Sequence, residues 1–410
     1  MHKLLQITEQ TLWQIIGRVV LTAGAFVSLG LVTRNYDKLE VGAYTLAQTY
    51  LAMFFIIADL GFNAYVLKKL KRNSDEANRL LNVRLYWSIF LALFASILIL
   101  ILPLGDGLVK MAVILGAVTI IGSGVFTSVS LIFQKELKYQ LSIIAQTSGS
   151  LVMVLSLIVL VYLKVQVPFL LICYSLGWIF NNWVSLKLVN KYYHFRLTSP
   201  DYKYFISLFK KVWPISVTLI LNVVYFRFDA FILAAVRGLS DTAIYNLSYA
   251  LFQTALFIPT FIMNSYYPII LKELNNKVLL FRQLRIAFFI MINLSLIGTL
   301  LTFVLSEQIV NLITGGGFDG SIISINILSL SFPAFFGTAL LMWVYVSLEK
   351  YKSLLWIYSI GLSANVLLNF IFTPVYSYIA TSWITVFSEY LILVMQIVVL
   401  LFEPKARTKQ

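Results

Sequence analysis

Twelve continuous apolar runs divide the chain, at about residues 11–33, 41–67, 85–104, 109–133, 142–163, 167–187, 212–235, 242–271, 286–305, 321–348, 353–373 and 376–402. Each run is near or above the roughly 20 residues that carry a helix across about 30 Å of hydrocarbon. Apolar positions run on without alternating, which favours helices over the strands of a membrane barrel. The pattern predicts an all-α polytopic membrane protein with twelve transmembrane helices.

Composition removes the alternatives. Of the 410 residues, 60% are hydrophobic and only 12% charged, against about 25% charged in a typical soluble domain. The mean hydropathy is +0.88. Two His and one Cys leave no room for a disulfide framework or a Cys/His metal site. Cys173 falls inside an apolar run and reads as packing. Disorder is excluded by the same arithmetic.

The net charge of +14 would suit a nucleic-acid partner, but its placement argues against one. With the amino terminus inside, 24 of the 31 basic residues fall on the cytoplasmic side. Only Arg34, Lys38, Lys110, Lys164 and Arg237 fall outside, and Arg18 and Arg227 lie within spans. That asymmetry is what the positive-inside rule expects of a multi-pass membrane protein with both termini cytoplasmic. Basic residues at the inner face would also meet anionic headgroups of membrane lipids, or a pyrophosphate. Met1 to Gln10 is polar and the first run lacks a cleavage pattern, so no secretory signal is expected.

The longest connection, residues 188–211, is basic and separates a six-helix half (1–187) from a second one (212–410). Val41-Gly42-Ala43-Tyr44 opens span two as Thr242-Ala243-Ile244-Tyr245 opens span eight. Leu67-Lys68-Lys69-Leu70 closes the one, and Leu271-Lys272-Glu273-Leu274 the other. An even number of spans per half makes the halves parallel, related by a pseudo-two-fold along the membrane normal and suited to rocking. Pro259 and Pro333 lie inside predicted spans. Each removes a backbone hydrogen bond, and they are the candidate hinges.

Five ionisable residues lie deep in predicted spans: Arg18, Asp59, Arg227, Asp229 and Glu389. Such a residue costs about 2.5–3.5 kcal/mol on insertion scales and usually faces a partner or a wet cavity. Arg18 and Asp59 share a depth on neighbouring antiparallel spans, which predicts an ion pair. Arg227 and Asp229 are two apart and point to different faces. Arg34 closes the outer end of span one, where it either snorkels to headgroups or faces a passenger. A guanidinium stays charged in the membrane and binds phosphate oxygens through a bidentate fork. Arg18, Arg34 and Arg227 are therefore the candidate contacts to an anionic passenger. Asp59, Asp229 and Glu389 would balance charge or couple an ion.

Catalytic signatures are missing. No GxxxxGK[ST] phosphate loop occurs, and Gly315-Gly316-Gly317 reads as a flexible turn. The outer loops are short, and no nucleophilic or paired-carboxylate site can be assembled. An enzyme is not expected, and neither is a bound cofactor, although coupling to an H+ or Na+ gradient stays open.

Arg34-Asn35-Tyr36-Asp37-Lys38-Leu39-Glu40-Val41-Gly42-Ala43-Tyr44, leading into Ala58-Asp59-Leu60-Gly61-Phe62, resembles the first-to-second helix signature of bacterial polysaccharide and O-antigen flippases. Arg227-Phe228-Asp229 followed by Ile244-Tyr245-Asn246-Leu247-Ser248 and Ile258-Pro259 is similar to that family's second-half signature. Gly317-Phe318 looks like its Gly-x-x-Phe region, though shifted. The resemblance points to the polysaccharide-transporter branch of the multidrug/oligosaccharidyl-lipid/polysaccharide exporter superfamily. It implies movement of undecaprenyl-pyrophosphate-linked oligosaccharides to the outer leaflet through a cationic cavity between two six-helix lobes. Polymerases and glycosyltransferases of the same pathway are the implied partners. Two departures stand out: many members have fourteen spans, and Asp37-Lys38 replaces the usual Leu-Gly-Pro turn. A cation-coupled multidrug exporter, favoured by the acidic residues, remains an alternative. A membrane polymerase or glycosyltransferase is a more distant one.

Overall fold

The computed structural model describes residues 2–69, 75–105, 107–273 and 276–402. Lys71, Arg72, Lys405, Arg407 and Lys409 of the basic set, and Leu70 and Leu274 of the repeated tags, lie outside them. Among the described residues the chain is nearly all helical, with no strand. In chain order the helices are α1 (His2–Asn35), α2 (Lys38–Asp59), α3 (Phe62–Lys69), α4 (Glu76–Ile101), α5 (Gly107–Gly116), α6 (Val118–Lys135), α7 (Tyr139–Tyr162) and α8 (Val167–Val189). They continue with α9 (Tyr202–Arg237), α10 (Leu239–Ala255), α11 (Phe257–Glu273), α12 (Lys277–Thr314), α13 (Asp319–Ser329), α14 (Phe332–Ser347) and α15 (Tyr351–Phe402).

Ten stretches of the described residues are long and apolar enough to cross a membrane, or eleven if the bent pair α13–α14 forms one span. The 52-residue α15 counts once in that figure, yet it covers both predicted runs 353–373 and 376–402. It is interrupted at Ser377, whose φ of 56° and ψ of −141° are not helical. The expectation of twelve spans thus rests on reading α15 as two.

Both candidate hinge prolines lie in the first turn of a helix, just after a break, and not in a helix interior. Pro259 is the third residue of α11, and Pro333 the second of α14. In each case the preceding helix ends four residues upstream, at Ala255 and Ser329. That is the residue whose carbonyl a proline leaves without a donor. The second break bends the chain by 46°.

The turn between α1 and α2 shows why Asp37 is there. Its carboxylate accepts from Glu40 N at 2.8 Å and the Glu40 carboxylate accepts from Asp37 N at 3.3 Å. This reciprocal capping box satisfies donors that the first turn of α2 leaves open. Gly42 follows because a Cβ there would run into the Leu239 carbonyl at the start of α10. Tyr44 and Tyr245, counterparts in the sequence echo, are both fully buried.

The chain divides into two compact units. The first comprises Met1–Arg227 with Gly238–Ala243 and Ile313–Gly315; the second holds Phe228–Arg237, Ile244–Leu312 and Gly316–Gln410. The core of the first gathers Phe62, Val66, Leu80, Ile132 and Leu208. That of the second is aromatic, with Tyr245, Tyr249 and Phe252, and Phe252 stacked on Phe332 at 5.5 Å.

The long connection is strapped onto the first unit. The Asn82 side chain donates to Arg196 O at 2.8 Å and accepts from Thr198 N at 3.0 Å, while Asn78 accepts from Arg196 N at 2.8 Å. Two asparagines one helical turn apart thus pair with an extended backbone as a strand would. Tyr204 donates to Glu76 at 3.0 Å. Burial first, and Glu76 second, push its phenol above the usual range, so it stays protonated as that donor.

Candidate functional site

A helix ending inside a membrane must satisfy its last carbonyls without water. At the end of α2 the chain turns through Leu60 and Gly61, both left-handed with φ of 50° and 68°. Leu60 N donates to Ile56 O at 3.0 Å, and Trp87 Nε1 to Ile57 O at 3.0 Å. Arg84 Nη2 donates to Asp59 O at 3.1 Å, and Ser216 Oγ to Leu60 O at 2.6 Å. The same Arg84 nitrogen lies 2.9 Å from Asp59 Oδ1. Its Nη1 donates to Asn63 Oδ1 and to Ser128 Oγ, both at 3.0 Å.

Two expectations are corrected here. Asp59 pairs with Arg84, not with Arg18. Arg84 had counted among the cytoplasmic charges, but its side chain is fully buried. The cause is the start of α4, which begins at Glu76, nine residues before the predicted run. Arg84 is therefore in the third turn, about 12 Å along the helix at 1.5 Å per residue. Asp59 is the last residue of α2, so its place is a helix end rather than the middle of a span.

The second unit carries a buried acidic centre. Asp229 is 2% exposed. Tyr245 OH donates a short hydrogen bond to its Oδ2, Thr385 Oγ1 lies 3.4 Å from the same oxygen, and Ala230 N donates to Oδ1 at 2.7 Å. From Thr385 a line of polar side chains runs through both halves of α15. Thr385 donates to Thr381 O, Thr381 and Thr373 meet at 3.2 Å, and Thr373 donates to Asn369 Oδ1 at 2.8 Å. Asn369 then donates to Asn365, which reaches Ser388. Glu389, also 2% exposed, follows Thr385 by four residues and shares its helix face. These groups offer oxygen ligands, the kind a proton or a hard cation uses. No cluster of three or more His, Cys, Asp or Glu is found among the described residues.

The candidate arginines are placed separately. Arg18 is exposed on α1. Arg34 is exposed and donates from Nε to Ile313 O at 3.0 Å. Its charge meets the last turn of α12, where the helix dipole favours a cation. Arg227 is partly exposed on α9, while Asp229 is turned into the second unit, in line with their two-residue spacing.

Arg84, Thr385 and the asparagines of α15 are site residues that the sequence reading does not pick out, and Tyr245 enters it only through the repeat and the family signature, not as the partner of Asp229. Asp75-Glu76, an acidic pair suited to a helix start, could have moved α4 forward and Arg84 into the membrane. Asn365 and Asn369, one turn apart in an apolar run, were a similar signal.

The fold is shared with several solved membrane-protein structures. It is similar to the lipid II flippase MurJ in an inward closed conformation, with a TM-score of 0.77 and 14% identity over 96% of this chain and 87% of that one. It is also similar to an inward-facing multidrug resistance MATE family transporter of the MOP superfamily, with a TM-score of 0.72 and 13% identity over 93% of each chain. The MATE multidrug transporter DinF-BH gives a TM-score of 0.68 and 14% identity, over 97% of this chain and 95% of that one. No curated protein sequence matches the chain. Residues 7–273 match the family described as polysaccharide biosynthesis protein, and the chain belongs to that family.

Proposed function

We propose that the protein is a flippase for undecaprenyl-pyrophosphate-linked oligosaccharides. It would move them from the inner to the outer leaflet of a bacterial cytoplasmic membrane by alternating access, for O-antigen, capsule or exopolysaccharide synthesis. The observation that carries this reading is membership of a polysaccharide-biosynthesis family by a chain with a transporter fold. Moving a lipid-linked intermediate is the step of such synthesis that a transporter performs. In this proposal Arg18, Arg34 and Arg227 hold the pyrophosphate and any sugar acids, while the prenyl tail stays in lipid. Asp229 and Glu389 couple an H+ or Na+ gradient or balance charge, and Pro259 and Pro333 mark the hinges. Both termini are cytoplasmic, and polymerases and glycosyltransferases act before and after the flippase.

The buried oxygen site at Asp229 also favours a second reading, a cation-coupled exporter of drugs. Deleting the gene decides between the two. The flippase reading expects lost surface polysaccharide and accumulation of its lipid-linked precursor on the inner leaflet. Unchanged polysaccharide with raised drug sensitivity would overturn it in favour of the exporter.

A further inference from the structure

We propose that a cavity within the first unit binds one neutral sugar ring of the passenger. The identity of the ligand rests on the flippase reading, which is what brings a saccharide to this membrane protein. The cavity itself rests on geometry.

It measures about 190 Å³ and lies between α1, α7 and α8. Its shape comes from close helix contact. A Cβ on Gly149 would lie 2.6 Å from Gly177 O, and one on Gly177 would lie 2.9 Å from Gly149 O, so α7 and α8 meet backbone to backbone. Beside that contact Trp178 and Tyr174 form aromatic walls. Trp178 is braced by Phe55 at 5.6 Å and Phe126 at 6.2 Å, and Tyr174 by Tyr44 at 6.1 Å. Gln146 and Ser150 of α7 and Asn181 of α8 supply the polar lining.

Asn181 is 4% exposed, and its Oδ1 has no hydrogen-bond partner. A buried acceptor left unpaired is a cost to the fold, and the same side chain lines the cavity beside Gln146 and Ser150. Braced aromatic faces beside a few amide and hydroxyl groups suit a ring with an apolar face and a polar edge. A pyranose is such a ring. At about 30 Å³ per water the space equals roughly six waters, room for one ring. Among the described residues, no Asp, Glu, Lys or Arg lines it. A uronate or phosphate there would lose its hydration without a countercharge, so the site selects a neutral sugar. Gln146 lies seven residues into α7 and Asn181 eight residues from the end of α8, about 10–12 Å from those helix ends. With the charge-derived orientation, this is the inner-leaflet half, where the passenger loads.

The test uses the full chain in lipid nanodiscs with saturation-transfer NMR. The probes are methyl glucoside, methyl galactoside and methyl N-acetylglucosaminide, with methyl glucuronide as the charged control. At least one neutral glycoside should bind and the glucuronide should not. Trp178→Ala and Asn181→Leu should each weaken binding at least tenfold. Asn181→Leu should melt at or above the wild-type temperature, because it removes an unpaired oxygen, whereas a purely structural asparagine would lower it. Gln146→Leu supplies the same test from α7 should Asn181→Leu fail to fold. No neutral binder, equal binding of the glucuronide, or wild-type binding in these variants would overturn the proposal. Transport of lipid-linked oligosaccharide, measured separately, keeps the two readings apart. Glycoside binding that follows Asn181 without any transport would remove the flippase reading and leave the site standing.

Discussion

Arg84 and Asp59 form an ion pair of 2.9 Å with the guanidinium fully buried and the carboxylate side chain 33% exposed. The pair closes the last turn of α2 against α4. Removing one member of a buried pair typically costs about 3–5 kcal/mol, because the other charge is left uncompensated. The cost should be unequal here, since the Asp59 carboxylate is less buried than the Arg84 guanidinium. Arg84→Ala should sharply reduce folded protein, measured by size exclusion and thermal unfolding in detergent. Asp59→Asn should be milder, and Arg84→Met with Asp59→Leu should recover part of the Arg84→Ala loss. Wild-type stability of Arg84→Ala would show that the pair does not hold this helix end.

The Asp229 centre separates charge from packing. Asp229→Asn keeps an acceptor for Tyr245 and removes the ionisable group, so the protein should fold while transport loses its dependence on the ion gradient. Tyr245→Phe deletes a donor to a buried carboxylate, a loss of about 1.5–3 kcal/mol. Thermal unfolding checks the second, and transport under imposed H+ and Na+ gradients the first. Unaltered gradient dependence in Asp229→Asn would remove this residue from coupling.

The two prolines make a conformational prediction. Pro333→Ala restores a donor four residues after Ser329 and lets α13 continue into α14. If the 46° bend is a working hinge, this variant should be as stable as wild type or more so, and transport should fall severalfold. Full transport with a straightened helix would reduce the bend to packing.

Topology follows from the basic residues. Single cysteines placed in 188–211 in a Cys173→Ser background should be protected from an impermeant external reagent, while positions 110 and 319 should label. External labelling of 188–211 would invert or break the proposed orientation.

The residues differ in how far the sequence announces them. Apolar run length marks every long helix, and the prolines mark two breaks, because both signals are local. The partner of Asp59 is not local. Depth alone suggested Arg18, whereas the pairing depends on where α4 begins and on three helices meeting at Ala58-Asp59-Leu60-Gly61. Asp37, out of place in the family signature, becomes intelligible only through its bond to Glu40 N. The oxygen-rich line from Asp229 to Ser388 is hidden for another reason. Ser, Thr and Asn are ordinary residues in membrane helices, and only the fold of α15 about Ser377 brings Thr373 to Thr381.

The central claim is that an arginine in the membrane carries a pyrophosphate, and Arg227 is its most direct test. Arg227→Lys keeps the charge but loses the bidentate fork, while Arg227→Ala loses both. The decisive measurement is the rate at which purified protein in vesicles moves undecaprenyl-pyrophosphate-linked oligosaccharide between leaflets, with folded protein quantified in each sample. The flippase account predicts partial activity for Arg227→Lys and none for Arg227→Ala at equal protein levels. Wild-type translocation by Arg227→Ala would contradict it.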